Sequence, residues 1–319
     1  MALEDYVAFQ KLMGLNVVQV KGTYWCEVRP FFYRPLPMSQ VIHQGSTSMP
    51  FGAKFCGAQY AVPPEAKANS FLNRLSFENN GAYSLDSLQR SWKRKVRLAS
   101  KDLIIRPILT ASEFKQAAHP AYLSFYERTR YKVRSERRDP AYFANWTDAL
   151  YRIPNILVLG GFRDRHLGGV SLTFLKDRTL FYATFFCDDD SLKLHLPDLM
   201  LHAVRESAAA SPDISEVFAS MYKGGNGLDA FYVSRGAKIV RQPAHLELNP
   251  LAGLIIRNFF PRQYAQLLGQ LADVPAPASN AEGPESDPTA PTAPPRPNHS
   301  SSSNPNDLDP ADLPPRPRL

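Results

Sequence analysis

Residues 155–186 read NILVLGGFRDRHLGGVSLTFLKDRTLFYATFF, and this stretch decides the fold. It contains three apolar runs rich in β-branched and aromatic residues, at positions 155–162, 167–175 and 179–186. The runs are separated by turns at Asp164-Arg165 and Lys176-Asp177-Arg178, which are too short for a crossover helix. The stretch therefore predicts three consecutive antiparallel strands.

Helices and one further strand are predicted before this meander. Residues 103–108 have a strand pattern, and Thr110-x-x-Glu113 forms a capping box for a helix. Pro120 is expected to kink or split that helix, because proline removes a backbone donor and clashes with the preceding turn. Asp139-Pro140 is typical of the start of a second helix.

The pattern after the meander alternates between helices and strands. Helical spacing places an apolar stripe on Leu192, Leu196, Leu199 and Ala203. A strand at 214–220, a helix at 227–235 and a last strand at 238–248 follow. We expect an α/β (α+β) fold with a mixed, mostly antiparallel sheet flanked by helices.

The helix at 227–235 carries the most specific motif. Its segment Asp229-Ala-Phe-Tyr-Val-Ser-Arg-Gly-Ala resembles the Ala-x-x-x-Tyr-x-x-x-Gly-Phe segment of the GNAT superfamily of N-acyltransferases. The order of elements over about 145 residues also resembles that fold. The resemblance implies transfer of an acyl or aminoacyl group to an amine acceptor, with Tyr232 protonating the leaving group.

A second resemblance concerns the first part of the chain. Residues 91–101, SWKRKVRLASK, are similar to the basic helix before the C-terminal acyltransferase unit of FemAB-like and cellulose-biosynthesis-type proteins. Those relatives often have a degenerate N-terminal half. We therefore expect a smaller, β-rich N-terminal subdomain at 1–100 and an acyltransferase domain at 101–272. Residues 273–319 hold 13 of the 28 prolines and are expected to be disordered.

The resemblance to the GNAT superfamily suggests roles for further residues. Glu127 or Asp188 would act as the base, and backbone amides near Phe186 would polarise the carbonyl. Phe186 and Cys187 would contact the donor, together with Lys193 and His195. The donor would be an acyl-CoA such as acetyl-CoA, or an aminoacyl-tRNA as in FemAB-like proteins. No metal is implied.

The chain departs from the GNAT pattern where the cofactor pyrophosphate binds. The expected glycine loop is replaced by residues 187–197, CDDDSLKLHLP, with three successive carboxylates. Two unit charges about 6 Å apart repel by about 2–3 kcal/mol at an effective dielectric of 20. FemAB-like proteins also lack a strict loop, so both donors remain open.

Composition leaves two other function classes open. Without its last 45 residues, which carry six acids and three arginines, the chain has 34 basic and 24 acidic residues. This surplus favours a polyanionic partner such as tRNA. A non-catalytic binding module and an RNA- or anion-binding protein using the basic helix at 90–101 are the alternatives. Three cysteines without Cys-x-x-Cys spacing, no long apolar run and an acidic N-terminus favour a cytoplasmic protein without a membrane span.

Overall fold

The computed structural model describes residues 1–46, 48–78, 80–129, 135–225 and 227–273, and these form one compact unit. The predicted disordered tail lies outside the described residues, apart from its first position. The strands are β1 Asn16–Val20, β2 Thr23–Arg29, β3 Phe32–Leu36, β4 Gly57–Ala61, β5 Ser70–Glu78, β6 Ile104–Pro107, β7 Ile156–Arg163, β8 His166–Lys176, β9 Thr179–Cys187, β10 Glu216–Met221 and β11 Lys238–Leu248. The α-helices are α1 Leu3–Leu12, α2 Arg90–Asp102, α3 Ala111–Thr129, α4 Pro140–Tyr151, α5 Asp189–Lys193, α6 Leu196–Ala209, α7 Gly227–Val233, α8 Pro250–Phe259 and α9 Pro261–Leu268.

These eleven strands form one sheet, in the order β1-β2-β3-β4-β11-β5-β10-β9-β8-β7-β6. Two of its described neighbour pairs are parallel, β3 with β4 and β9 with β10, and the others are antiparallel. The predicted meander is confirmed as β7, β8 and β9, each antiparallel to the next. The predicted fold class, a mixed and mostly antiparallel sheet flanked by helices, is confirmed.

The first and last parts of the chain share this sheet. β11 pairs with β4 on one side and with β5 on the other, so the C-terminal strand lies between two N-terminal strands. β5 also pairs with β10. The division of the chain near residue 100 stays a prediction, and the sheet runs across that position.

Helix α3 runs through Pro120 without a break, so the predicted split is wrong. Pro120 and Gln116, whose carbonyl would accept the missing hydrogen bond, both lie on the exposed side of the helix. Ala118 and Ala121 are buried on the opposite side. Packing of that side against the sheet keeps the residues before and after Pro120 in one helix.

Helices cover both faces of the sheet and enclose two main cores. On one face, α2, α6 and α7 pack around Trp92, Met200 and Tyr232. On the other face, α1, α3 and α4 pack around Phe9, Phe114 and other aromatic side chains. Two separate groups of helices therefore pack on the sheet, one on each face. The site described below lies at the centre of the sheet.

Glycines in β7 and β8 let α6 begin close to the sheet. A Cβ added at Gly169 would lie 2.7 Å from the Cys187 Cβ and 2.9 Å from the Phe186 carbonyl oxygen. It would also lie 2.7 Å from a methyl group of Leu196, which is completely buried at the start of α6. A side chain at this position would have to displace backbone of β9.

We expect Gly169→Ala to destabilise the protein by about 1–3 kcal/mol, the usual range for overpacking a filled interior. Chemical unfolding measures the change. Gly81→Ala is the matched control, because a Cβ at Gly81 would have no atom within 4 Å. Equal stability of the two variants would contradict the close packing of α6 on β8 and β9.

Candidate active site

The two parallel strands at the centre of the sheet separate along their length. β9 and β10 pair from Glu216↔Thr179 to Phe218↔Phe181, and the pairing stops there. β9 continues to Cys187 beside β8, while β10 continues to Met221 beside β5. A gap therefore opens between β9 and β10 beyond Phe181 and Phe218.

A bulge lies on each side of this gap. The register of β8 against β9 passes from Thr173↔Tyr182 to Leu172↔Thr184, which leaves Ala183 without a Cα partner. The register of β10 against β5 likewise leaves Ala219 without one. Bulged residues leave the regular ladder of hydrogen bonds, so their backbone groups are available to a ligand.

A cavity of about 280 Å³ lies at the gap, on the sheet face that carries α1. Ala183 and Ala219 both line it. Most of its wall is apolar and largely aromatic, contributed by Tyr6, Phe9, Phe174, Phe181, Tyr182 and Phe218. Such a wall suits an apolar chain or ring of a substrate, with a few polar groups to fix its orientation.

The main charged group at this cavity is Arg74 of β5. Its Nη2 lies 3.6 Å from Glu216 Oε1, and its buried Nε has no hydrogen-bond partner among the described residues. Glu216 also accepts hydrogen bonds from the hydroxyls of Ser76 and Thr179. The carboxylate is well satisfied and the guanidinium is not, so Arg74 can still bind an anionic group.

Tyr232 does not line the cavity. It is buried on the opposite face of the sheet, and its ring packs edge-on against Tyr182 at 6.4 Å between ring centroids. Burial raises the pKa of Tyr232 above its ordinary value, and burial also raises the pKa of Tyr182. Both phenols therefore hold their protons at neutral pH. Tyr182 separates Tyr232 from the cavity.

Asp188, one of the two predicted bases, lies just beyond the end of β9 beside Asp189, and both carboxylates are already paired. Asp188 Oδ2 lies 2.7 Å from His166 Nε2, and Asp188 Oδ1 accepts a hydrogen bond of 2.7 Å from the Ser191 amide. Asp189 contacts the guanidinium of Arg128. None of these carboxylates lines the cavity at the gap.

The residues predicted to contact the acyl donor differ in exposure. Phe186 and Cys187 are buried, with Phe186 packed against Tyr122 of α3. Lys193 is exposed and forms an ion pair of 3.0 Å with Asp190. His195 precedes α6 with a left-handed backbone (φ 61°) and does not cap the helix with its side chain.

These residues do not fit the pyrophosphate of an acyl-CoA. The amide of Ser191 is taken by Asp188, and the amide of Asp198 donates to the His195 carbonyl at 3.0 Å. Pro197 has no backbone N–H to donate, and the buried Asp198 carboxylate binds Arg235 near the start of α6. A pyrophosphate would meet carboxylates here, and the amides of Ser191 and Asp198 are already used.

A second cavity, of about 310 Å³, opens beside this segment. Arg163, Arg165 and His166 line it from the turn between β7 and β8, with Asp164 and Asp190 among the other lining residues. The lining is of mixed charge.

Glu127, the other predicted base, is exposed near the end of α3 and lines neither cavity. Residues 130–134 of the neighbouring basic stretch lie outside the described residues. Arg137 is buried, stacks over Trp146 at 4.3 Å and donates a hydrogen bond to the Leu12 carbonyl. Arg137 therefore links α1, through Leu12, to α4, through Trp146.

Helix α2 carries the predicted basic surface. Trp92, Val96 and Ala99 are buried against α6, as its spacing predicts. Its cations follow the outer side, where Lys93 and Arg97 pair with Asp86 at 2.5 and 3.8 Å. Arg90, Arg94 and Lys101 are exposed. This surface suits a polyanion.

Two residues of the cavity were not singled out from the sequence. Arg74 stands in the middle of the apolar run of β5, SFLNRLSFE, and a charge at such a place was a usable signal. Tyr182 gives no such signal, because an aromatic residue in a buried strand is ordinary. Within the described residues, no helix could cross a membrane and no group of three potential metal ligands occurs.

Comparison with known proteins shows the fold. No protein-family model and no curated protein matches the chain. The structure of FemX aligns with a TM-score of 0.52 at 12% identity, covering 79% of this chain and 93% of that one. The C-terminal domain of a putative lysylphosphatidylglycerol synthetase from Agrobacterium fabrum aligns with a TM-score of 0.51 at 9% identity, covering 79% and 92%.

A GCN5-related N-acetyltransferase from Kribbella flavida also aligns, with a TM-score of 0.41 at 13% identity over 78% of this chain and 96% of that one. The two alignments above 0.5 show that the chain shares its fold with FemX and with the synthetase domain.

The thiol of Cys187 allows a direct test of the buried end of β9. Burial raises the pKa of Cys187 to about 11, and burial likewise raises the pKa of Cys26 to about 11. Since only the thiolate reacts, both thiols should resist alkylation at pH 8 and react faster as the pH rises. Cys56 is partly exposed and should be modified first.

Iodoacetamide labelling of the folded protein followed by peptide mass spectrometry gives this order. Labelling of all three cysteines in denaturant is the control. Rapid modification of Cys187 in the folded protein at pH 8 would contradict the burial of this strand end.

Proposed function

We propose that the chain is an acyl- or aminoacyltransferase whose reaction takes place at the gap between β9 and β10. The observation that carries the proposal is the gap itself, where two bulges interrupt the strand ladders beside an aromatic cavity. A backbone amide at Ala183 would stabilise the negative charge that develops on the carbonyl oxygen. We expected this role near Phe186, three residues further along β9.

Under this proposal the two substrates approach from opposite faces of the sheet. The acceptor would bind in the cavity on the α1 face, and the donor would enter from the face that carries α6 and α7. The amine nitrogen attacks the carbonyl carbon and a base takes its proton. The bond to the leaving group then breaks, and Tyr232 gives its proton to that group.

The segment before α6 bears on the identity of the donor. A pyrophosphate bound there would meet the carboxylates of residues 188–190, which repel it. We therefore favour an aminoacyl-tRNA ester over acyl-CoA as the donor.

The surface charge supports the same donor. Arg90, Arg94 and Lys101 are exposed on α2, on the sheet face where the donor would enter. The cations beside the second cavity, Arg163 and Arg165, offer further contacts for phosphates. We also propose that the chain belongs to the FemAB-like branch, that its acceptor is an amine and that the protein is cytoplasmic.

Glu127 and Asp188 remain the proposed bases, and Lys193 and His195 the proposed donor contacts. Asp188 is held by His166, which would pass a proton on to solvent. Glu127 neighbours Arg128, whose guanidinium donates to the Cys187 carbonyl at 3.0 Å and so connects α3 with the end of β9. Either base requires the acceptor to extend along β9 beyond the cavity.

Tyr232→Phe tests the acid. Transfer from a mixture of aminoacyl-tRNAs and from acetyl-CoA to amine acceptors would be measured for the purified protein. The variant should lose about 10²–10⁴-fold in turnover while keeping its stability, because only a hydroxyl is removed. Tyr33→Phe, a buried tyrosine in a separate cluster, is the control.

Tyr182→Phe separates the two phenols on either side of the gap. Full activity of Tyr232→Phe with a loss in Tyr182→Phe would transfer the role of acid to Tyr182. Transfer from acetyl-CoA but not from tRNA would contradict the preferred donor. Tight RNA binding that weakens steeply with salt, without any transfer, would favour the RNA-binding alternative based on α2.

Arg74→Met tests the cavity. If Arg74 binds an anionic group of the acceptor, its KM should rise about tenfold to a hundredfold, since hydrogen bonds to charged groups contribute about 1.5–3 kcal/mol. Lys11→Met, an exposed cation of α1 that does not line the cavity, is the control. An unchanged KM would place the acceptor elsewhere.

A further inference from the structure

Helix α8 presents its apolar side to solvent. Leu251, Leu254, Ile255 and Phe259 recur at helical spacing, and their exposed fractions are 66%, 58%, 42% and 74%. The small residue Gly253 faces the protein instead, since a Cβ added there would contact the Leu248 side chain at 3.6 Å. A helix of a soluble domain normally buries such an apolar stripe.

Three aromatic rings extend this apolar surface. Phe31, Phe51 and Phe55 are 51–71% exposed, and the rings of Phe31 and Phe51 each lie 5.6 Å from that of Phe55. Hydrogen bonds join this cluster to the start of α8, because the Asn249 amide donates to the Cys56 carbonyl at 2.9 Å. We call Phe31, Phe51, Phe55 and the four exposed side chains of α8 the apolar patch.

The backbone supports the outward position of Phe31. This residue has φ 60° in the turn between β2 and β3, a conformation that bulky residues rarely adopt. Its amide is held by Glu27 Oε1 at 2.7 Å. The turn thus fixes a large aromatic side chain on the surface, where it gains nothing from the protein core.

Positive charges border the apolar patch. Arg29, Lys54, Arg257 and Arg262 are all exposed, and none has an ion-pair partner among the described residues. Residues 28–64 and 248–272 contain no aspartate or glutamate at all. The carboxylates at the ends of these two ranges are Glu27, which binds the Phe31 amide, and Glu65, Glu247 and Asp273.

We propose that the apolar patch docks the protein on an anionic lipid surface. Exposed Phe, Leu and Ile side chains bordered by Arg and Lys are the composition of an interfacial helix, whose apolar side enters the membrane boundary while its cations meet lipid phosphates. Helix α9 anchors the patch, since Gln59 Nε2 donates to the Leu267 carbonyl at 2.7 Å and Asn73 Nδ2 to the Gly269 carbonyl at 2.8 Å.

Charge argues against a second copy as the occupant, and composition argues against the C-terminal tail. A symmetric dimer through this patch would bring together four cations from each copy without carboxylates to offset them. The last 45 residues of the chain contain no aromatic residue and only three leucines, too few apolar side chains to cover seven. A lipid surface satisfies both the apolar side chains and the cations.

The full-length chain is sedimented with vesicles of phosphatidylcholine, with and without phosphatidylglycerol. We expect binding to the vesicles that contain phosphatidylglycerol, decreasing as salt is added. Leu254→Ser combined with Phe259→Ser should weaken it by about tenfold or more, because two apolar anchors are lost. Lys54→Gln with Arg257→Gln should weaken binding to the anionic vesicles alone.

Ile104→Ser combined with Leu109→Ser is the matched control. These side chains are 68% and 79% exposed but belong to β6, at the edge of the sheet, and to the residues just after it. Equal loss in the control, or equal binding to both kinds of vesicle, would overturn the proposal. Absence of binding to either kind of vesicle would also overturn it. If light scattering then shows a dimer that Leu254→Ser combined with Phe259→Ser separates, the occupant is a second copy.

Discussion

The pairing of β11 between β4 and β5 is the constraint on which the rest of the structure depends. It joins the last described strand to two strands from the first eighty residues by backbone hydrogen bonds, which most side-chain substitutions leave in place. Because β5 also pairs with β10, the N-terminal strands complete the sheet beside the central parallel pair. An isolated C-terminal part would expose the edge of β10 to solvent, and exposed edges invite wrong pairing.

The same pairing explains why the gap between β9 and β10 can exist. β10 is held by β5 and β9 is held by β8, so each strand keeps a full partner on one side after the two separate. The bulges at Ala183 and Ala219 lie on the outer ladders of these two strands, on either side of the gap. The gap lies between the two helix layers. Under the proposed function, substrates from opposite faces of the sheet would react there.

Charge is distributed unevenly over this framework. At the end of β9 the acidic residues have local partners, such as His166 for Asp188 and Arg128 for Asp189. The cations of α2 and of the apolar patch face solvent, largely unpaired. One surface therefore suits a nucleic acid and another a lipid headgroup. The partly buried Arg74 lines the cavity on the α1 face of the sheet, apart from both surfaces.

The sequence alone determined the local elements of this protein. The meander, the capping residues Thr110 and Asp139, and the strand at 238–248 follow from periodicity and turn chemistry, which act over a few residues. The predicted split of α3 at Pro120 was wrong, because the packing of Ala118 and Ala121 outweighs a lost hydrogen bond on the exposed side.

Only the tertiary structure decided where these elements meet. The neighbours of β11, the place of Arg74 beside Glu216 and the position of Tyr182 between Tyr232 and the cavity depend on contacts between residues far apart in the chain. The exposure of the apolar stripe of α8 was equally invisible, because a helical stripe in sequence looks the same whether it faces a core or solvent. Periodicity shows that a helix has an apolar side, and only packing shows what that side contacts.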